Sequence, residues 1–292
     1  MRCRLCPRDC GTDRVHTPGD CGAGDSRQTR IARAMLHRWE EPPISGTRGA
    51  GAVFFSGCNL GCVFCQNEPL QSGALGKVYD EGALADLFLS LEAQGAHNVD
   101  LVTPTPHVPA IRRALLCAKA RGLSIPIVYN TGSYERVETL RALDGLVDIY
   151  LPDLKYVSPT LSGRFSGAAD YFAFAMPAVN EMFRQTGPLA TDANGVAVRG
   201  VLVRHLILPN CVFDTRAVLD ALVSGPGPDA HLSLMRQYVP SARAMGTPLN
   251  RRLTDGEYDR AISYATGLGF HNIWIQQKSS ASFDYTPSFI DC

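Results

Sequence analysis

The stretch Val53 to Pro69 reads VFFSGCNLGCVFCQNEP and carries Cys58, Cys62 and Cys65 in a C-x3-C-x2-C array. The apolar and aromatic residues ahead of Ser56 predict a buried strand that ends just before the cysteines. Thiolate sulfur is a soft ligand that iron prefers, so three thiolates in one short loop suit an iron–sulfur cluster. A four-iron cluster with three cysteine ligands keeps one iron open, which is typical of a site that takes a further ligand.

A zinc site built on the same three cysteines is the alternative. It would need a fourth ligand from elsewhere in the chain, because structural zinc sites have four protein ligands. The nearest histidines, His37 and His97, are both remote in sequence.

The cysteine triplet, with Phe64 just before its last member, resembles the signature of the radical S-adenosylmethionine (SAM) enzymes. The Cys-Gln-Asn run that ends at Asn67, with WEEPPISGTRGAGAVFFSGCNL ahead of it, resembles more narrowly the uncharacterised relatives of the pyruvate formate-lyase activating enzyme. This resemblance implies a [4Fe-4S] cluster on Cys58, Cys62 and Cys65, with SAM on its open iron. It also implies reductive cleavage of SAM to a 5′-deoxyadenosyl radical that abstracts hydrogen, and an external one-electron reductant such as flavodoxin or ferredoxin.

Composition excludes several classes of partner. The 292 residues include 28 Lys plus Arg and 28 Asp plus Glu, so net charge gives no reason to expect binding to nucleic acid or to a membrane surface. No apolar run approaches the roughly 18 to 20 residues that span a bilayer, and no signal region follows Met1. Seven of the ten cysteines lie in the first 65 residues with metal-like spacings, which is typical of a reducing compartment. We therefore expect a cytoplasmic protein.

The first segment, CRLCPRDCGTDRVHTPGDCG, is too short and polar to bury a core of its own. Four thiolates around one metal would fix it, and the metal is either a structural zinc ion or a second, fully ligated iron–sulfur cluster. His16 is a possible substitute ligand, and unligated cysteines in a loose tail are the alternative. The predicted ligands are Cys3, Cys6, Cys10 and Cys21.

Strand and helix patterns alternate after the cysteine loop, with 10 to 20 residues to each helix, as parallel strands joined by crossover helices require. We predict an α/β fold, a partial (β/α)6 TIM-like barrel with a short Cys-rich N-terminal segment. The family resemblance implies the same six-stranded form. Thr254 and Glu257 predict a capping box at the last helix. The predicted domains are residues 1–25, the four-cysteine metal-binding segment; residues 26–50, a connecting arm that packs irregularly on the barrel at Trp39 to Pro43; and residues 51–292, the radical SAM partial barrel.

Active sites of parallel α/β barrels lie at the C-terminal ends of the strands. The second strand ends in Thr103-Pro104-Thr105-Pro106-His107, where most radical SAM enzymes carry a Gly-Gly-Glu-like turn for the amine of SAM. This chain departs from that pattern, so the resemblance leaves backbone carbonyls and the hydroxyl of Thr103 or Thr105 for this role. His107 either faces the substrate or is an exposed turn residue.

Further candidates follow the next strands. Asn130 resembles the Asp of the activating enzymes' Asp-Thr-Asn-Gly turn, with turn capping as the alternative role. Asp153 and Lys155 stand two residues apart, so they project to one side of an extended chain and offer both charges to a zwitterionic ligand. The activating enzymes use this Asp-x-Lys for SAM, and a surface ion pair is the alternative.

The last candidates come from the two strands that follow. Alternation sends one of Arg204 and His205 into the barrel and the other toward the helices. Arg204 matches an Arg of the activating enzymes, and we expect His205 in the core. Tyr238 or Gln237 occupies the place of a SAM-contacting His.

The substrate is left open. One hypothesis is activation of a glycyl radical enzyme. Another is chemistry on a small molecule, including transfer of a 3-amino-3-carboxypropyl group from SAM, and a third is a non-catalytic metal-binding or electron-transfer module.

Overall fold

The strands at the centre of the sheet are mostly apolar runs. Helices cover one face of these strands and the packed interior covers the other, so neither face needs polar side chains. Every residue of four central strands is buried. The structure is a computed structural model, and it describes residues 2–282 and 286–289. The predicted end of the barrel domain at residue 292 lies outside these ranges.

The strands, in chain order, are β1 (Thr29–His37), β2 (Ala50–Phe55), β3 (Lys77–Tyr79), β4 (Val99–Val102), β5 (Ile127–Thr131), β6 (Ile149–Pro152), β7 (Ala190–Thr191), β8 (Ala197–Leu206), β9 (His231–Met235) and β10 (Ile273–Ile275). The α-helices are α1 (Pro42–Ser45), α2 (Glu81–Ala93), α3 (Val108–Ala120), α4 (Val137–Arg141), α5 (Pro159–Ser166), α6 (Tyr171–Thr186), α7 (Val212–Ser224) and α8 (Asp255–Gly267). Short 3-10 helices cover Glu68–Ser72, Thr105–His107, Ala242–Ala244 and Lys278–Ser280.

The strands form one sheet in the order β10-β9-β8-β6-β5-β4-β2-β1-β3, with β7 paired to β8. Every neighbouring pair from β2 to β10 along this order is parallel. The predicted partial barrel is therefore confirmed, and β10 adds a seventh parallel strand to the six predicted. Parallel order brings the C-terminal ends of these strands to one edge, where the site is expected.

The arm predicted for residues 26–50 is more regular than expected. β1 pairs antiparallel with β2 and with β3, and α1 follows directly after Glu41. The irregular parts are residues 26–28, residues 38–41 between β1 and α1, and residues 46–49 between α1 and β2. The pairing of β1 with β2 fixes where the turn that carries Trp39 and Glu40 meets the barrel.

The helices cover the sheet as their apolar faces predict. The capping box is confirmed: the N–H of Glu257 donates to Thr254 Oγ1 over 3.2 Å, and the N–H of Thr254 donates to Glu257 Oε2 over 3.0 Å. α5 was missed from the sequence, although Ser158 caps it and Pro159 opens it. No helix within the described ranges combines the length and apolar character needed to cross a membrane.

Candidate functional site

The cysteine loop leaves β2 through a backbone position that requires glycine. Gly57 has φ of +103°, and a Cβ at this position would stand 2.8 Å from the carbonyl oxygen of Cys21. The N–H of Cys58 donates to the same oxygen over 3.0 Å. Farther along the loop, Cys62 Sγ lies 3.0 Å from Ser166 Oγ at the end of α5. The loop is therefore tied to the N-terminal segment on one side and to a helix on the other.

The triplet combines a buried Cys62 with half-buried Cys58 and Cys65. Burial raises the pKa of Cys58 well above its ordinary range, and Cys62 and Cys65 raise it further. Burial also raises the pKa of Cys65 to about 11, with Cys62 adding to the effect. Thiols held protonated by burial and mutual repulsion are deprotonated when a metal coordinates them. The chemistry of this donor set therefore fits an iron–sulfur cluster.

A cavity of about 200 Å³ opens beside the cysteine loop. Its walls come from the loop, from the strand ends and from the turn between β1 and α1. The sequence-predicted site residues that line it are Cys62, Phe64, Cys65, Asn67, Asn130, Asp153, Lys155, Arg204, Gln237 and Tyr238. Candidates from separate strand ends, among them Asn130, Asp153 and Arg204, therefore lie at one cavity.

Asp153 and Lys155 lie side by side at this cavity, as their spacing predicts. Lys155 Nζ is 2.7 Å from Asp153 Oδ2, and the side chains are only 15% and 18% exposed, so the pair is not a surface ion pair. Burial would raise the pKa of Asp153, but Arg204 and Lys155 hold it below its ordinary value. Burial would lower the pKa of Lys155, but Asp153 raises it. Both groups are therefore charged at neutral pH, and their contact with SAM stays a prediction.

Arg204 joins three elements at the floor of the cavity. Its Nε donates to Asp153 Oδ1 over 2.7 Å, and its Nη2 donates to Asn130 Oδ1 over 2.6 Å. His205 faces the opposite way, with Nδ1 2.7 Å from the carbonyl oxygen of Leu154, and is 2% exposed. The predicted alternation of the two residues is confirmed.

Glu40 was not predicted as a site residue. It lines the cavity, and its Oε2 accepts from Arg204 Nη1 over 2.9 Å. The signal available in the sequence was the charged pair Glu40-Glu41 between Trp39 and two prolines. That pair could not be placed, because its partner lies 164 residues farther along the chain.

Phe64 and Tyr238 contribute aromatic walls. Their ring centroids are 6.3 Å apart in an edge-to-face arrangement, and both side chains are almost fully buried. The hydroxyl of Tyr238 donates to the carbonyl oxygen of Leu249 over 2.6 Å. Tyr238 therefore presents its ring to the cavity, while its polar atom is occupied elsewhere.

The two predicted threonines lie apart from the other candidates. Neither Thr103 nor Thr105 is among the described residues that line the cavity. Thr103 has φ of +60°, and the Thr105 hydroxyl donates to Glu135 Oε1 over 2.5 Å in the interior. The structure therefore adds no support for a role of either hydroxyl in holding SAM.

His107 is neither an exposed turn residue nor part of the cavity wall that the described residues form. It is 2% exposed, its Nε2 lies 2.8 Å from the carbonyl oxygen of Ser56, and its ring stacks on Phe55 at 5.4 Å. The residue supports the backbone just before the cysteine loop.

The N-terminal segment lies against the barrel beside the same loop. Arg8 Nε donates to the carbonyl oxygen of Asn59 over 2.8 Å, and Arg136 Nε donates to that of Cys6 over 3.1 Å. A Cβ built on Gly19 would be 3.5 Å from the sulfur atoms of both Cys10 and Cys21, so these two thiols approach each other.

Within residues 2–282 and 286–289, no group of three or more His, Cys, Asp or Glu side chains is placed to hold a metal ion. The ligand roles of both cysteine groups therefore stay predictions. His16, the substitute ligand considered for the N-terminal group, is exposed.

No protein-family model matches the chain. The uncharacterized protein MJ0674 of Methanocaldococcus jannaschii is 28% identical over 273 residues, which cover 90% of this chain and 74% of that protein. A domain of pyruvate-formate lyase-activating enzyme from Bacteroides vulgatus matches with a TM-score of 0.42 and 16% identity, covering 59% of this chain and 92% of that domain.

SuiB of Streptococcus suis matches with a TM-score of 0.51 and 12% identity over 75% of this chain. The match covers 46% of the SuiB chain, so this protein spans about half the length of SuiB. The chain therefore shares the fold of SuiB.

Proposed function

We propose that the protein is a radical SAM enzyme that binds a [4Fe-4S] cluster through Cys58, Cys62 and Cys65 and SAM in the adjoining cavity. The observation that supports this most is that two cysteines of the triplet line the same cavity as Asp153, Lys155 and Arg204. When bound, the cluster and SAM together supply reductive cleavage of a carbon–sulfur bond and a 5′-deoxyadenosyl radical for hydrogen abstraction.

The chain's own residues would orient SAM by charge. The Lys155 ammonium has three donors and uses one on Asp153, so it can also bind a carboxylate of the ligand. Arg204 holds the other oxygen of Asp153 and thereby fixes the orientation of that carboxylate. Two charges held in place before the ligand arrives lose little freedom on binding.

Aromatic rings would exclude water from the reacting atoms. Phe64 and Tyr238 stand edge to face on one side, and Phe54 lines the cavity from β2. A dry cavity strengthens the ionic contacts described above and protects a radical from side reactions.

For the reaction we propose activating-enzyme-like oxidoreductase chemistry, with a glycyl radical enzyme as the protein substrate. The support is the sequence resemblance to relatives of the pyruvate formate-lyase activating enzyme. The electron would come from an external one-electron carrier such as flavodoxin or ferredoxin, and the need for free thiols favours the cytoplasm.

We also propose that Cys3, Cys6, Cys10 and Cys21 hold a separate zinc ion or second cluster. The approach of Cys10 and Cys21 at Gly19 supports this assignment.

One experiment tests the enzymatic proposal. Anaerobically reconstituted protein is reduced with dithionite in the presence of SAM, and the nucleoside products are identified by mass spectrometry. 5′-Deoxyadenosine is expected. 5′-Methylthioadenosine would instead indicate release of the 3-amino-3-carboxypropyl group, and no cleavage by cluster-loaded protein would contradict the proposal.

A further inference from the structure

A buried serine lies against the middle cysteine of the triplet. Ser166 Oγ is 3.0 Å from Cys62 Sγ, and the two residues are 0% and 6% exposed. The backbone on either side of Cys62 is bound to the same helix end. The N–H of Gly61 donates to the carbonyl oxygen of Ser166 over 3.2 Å, and the N–H of Val63 donates to that of Phe165 over 2.8 Å. These two bonds hold the cysteine sulfur next to the serine hydroxyl.

A second buried hydroxyl lies behind the first. Tyr156 Oη is 3.0 Å from Ser166 Oγ, and Tyr156 is 1% exposed. Burial raises the pKa of Tyr156 well above its ordinary value, so the phenol keeps its hydrogen at neutral pH. Two hydroxyl groups and one sulfur atom, from β6, α5 and the cysteine loop, therefore form a hydrogen-bonded chain that water does not reach.

Iron coordination would fix the direction of these hydrogen bonds. A thiolate that binds a metal has given up its hydrogen, so its sulfur can only accept. Ser166 has one hydroxyl hydrogen and would donate it to Cys62, which leaves the serine oxygen to accept from Tyr156. Each hydrogen bond polarises the next, so the tyrosine strengthens the bond that the serine donates.

A hydrogen bond to a ligand sulfur changes the energy of electron uptake. One-electron reduction adds a negative charge to an iron–sulfur cluster, so a donor at a sulfur stabilises the reduced form more than the oxidised form. The reduction potential rises as a result. The alternative role for Ser166 is to pack α5 against the loop, and in that case loss of its hydroxyl would leave the potential unchanged.

We propose that Ser166 is a positioning residue that donates a hydrogen bond to Cys62 as a cluster ligand, supported by Tyr156, and that this bond raises the reduction potential of the cluster. The inference rests on the proposed function for the presence of the cluster. The step that it affects is the uptake of one electron from the external carrier. Both hydroxyl hydrogens stay on their oxygens, and no covalent bond forms or breaks in this step.

The test is a potentiometric titration of anaerobically reconstituted protein, followed by electron paramagnetic resonance without SAM and at matched iron content. The signal counted is the one that disappears when Cys58, Cys62 and Cys65 are all replaced by Ala. At the potential that half-reduces wild type, Ser166→Ala should lower the ratio of reduced to oxidised cluster about tenfold, which corresponds to about 59 mV for one electron. Tyr156→Phe should lower the ratio by a smaller factor, about threefold, because the serine bond remains but loses its support.

Ser162→Ala is the matched control. Ser162 is another buried serine of α5, but its hydroxyl donates to the carbonyl oxygen of Pro159 over 3.2 Å, so its loss should leave the ratio at the wild-type value. An equal or higher ratio in folded, cluster-loaded Ser166→Ala would overturn the proposal. If Ser166→Ala does not load a cluster, Tyr156→Phe decides in its place, and an unchanged ratio there overturns the proposal. Wild type that assembles no cluster would instead contradict the proposed function, which the iron content shows before any titration.

Discussion

Arg204 Nη1 lies 2.9 Å from Glu40 Oε2, although 164 residues separate the two in the chain. The same guanidinium holds Asp153 Oδ1 at 2.7 Å. Arg204 therefore links the turn before α1 to the end of β6, and its guanidinium contacts one carboxylate on each side.

Arg204→Met should destabilise the protein by roughly 3 to 5 kcal/mol, because it leaves buried carboxylates without their partner. The loss should be smaller near pH 5 than near pH 8, since the pKa of Glu40 is already raised by burial and its protonation at lower pH relieves the unpaired charge. Urea unfolding at both pH values measures this. Arg121→Met, which breaks an exposed ion pair with Asp86, is the control and should cost at most about 1 kcal/mol.

Replacing Cys58, Cys62 and Cys65 together with Ala should abolish the redox-active four-iron cluster, because these are its proposed thiolate ligands. The measurement is electron paramagnetic resonance of reduced, reconstituted protein before and after addition of SAM. Cys117→Ala, at a half-buried position in α3, should keep the signal. A triple variant that retains a SAM-responsive signal would show that the cluster lies elsewhere.

Asp153→Asn and Lys155→Met should each weaken SAM binding by roughly 2 to 5 kcal/mol, because each removes a charged contact to the ligand. Equilibrium dialysis with labelled SAM measures the affinity, after the iron content of each variant has been matched to wild type. Asp86→Asn serves as the control for a broken surface ion pair. Wild-type affinity in both site variants would mean that the pair only stabilises the fold.

Glu135 should make stability depend on pH. Burial raises the pKa of Glu135 from 4.5 to about 7, although hydrogen bonds from Thr105, Thr131 and Tyr129 oppose the change. A carboxyl with a raised folded-state pKa contributes its stability below the unfolded pKa and loses it as the pH rises through the folded one. The free energy of unfolding of wild type relative to Glu135→Gln should therefore fall by on the order of 3 kcal/mol between about pH 4.5 and about pH 8.

Urea titrations of both proteins across this range measure the Glu135 effect. Glu138 lies three residues farther along the chain in α4 and is exposed. The Glu138→Gln variant is therefore the control, and its free energy of unfolding should match that of wild type at every pH. Parallel curves for wild type and Glu135→Gln would mean that Glu135 keeps an ordinary pKa.

The double variant of Cys3→Ala and Cys6→Ala should lose one equivalent of metal while keeping partial SAM cleavage. Loss of the metal should expose the N-terminal segment to limited proteolysis, because too little apolar surface is buried there to hold it alone. Metal analysis with mass spectrometry of the protease products tests this. Unchanged metal content would refute the N-terminal site.

Local patterns in the sequence determined the main features of the fold. Alternating apolar runs and helix signals after the cysteine loop predicted the parallel strands, because each signal depends on neighbours only a few residues apart. The spacing of Asp153 and Lys155 likewise predicted their shared direction, since side chains alternate along an extended chain. The capping box at Thr254 and Glu257 is another pattern complete within four residues.

The tertiary structure decided which polar groups meet. Thr105 looked like a site residue because it follows a strand, yet the backbone at Thr103 turns into the left-handed region and the Thr105 hydroxyl points to buried Glu135. Glu40 carried no strand-end signal and reached the cavity only through the pairing of β1 with β2. Contacts of this kind depend on chain crossings and on the balance of buried charge, which spacing in the sequence does not encode.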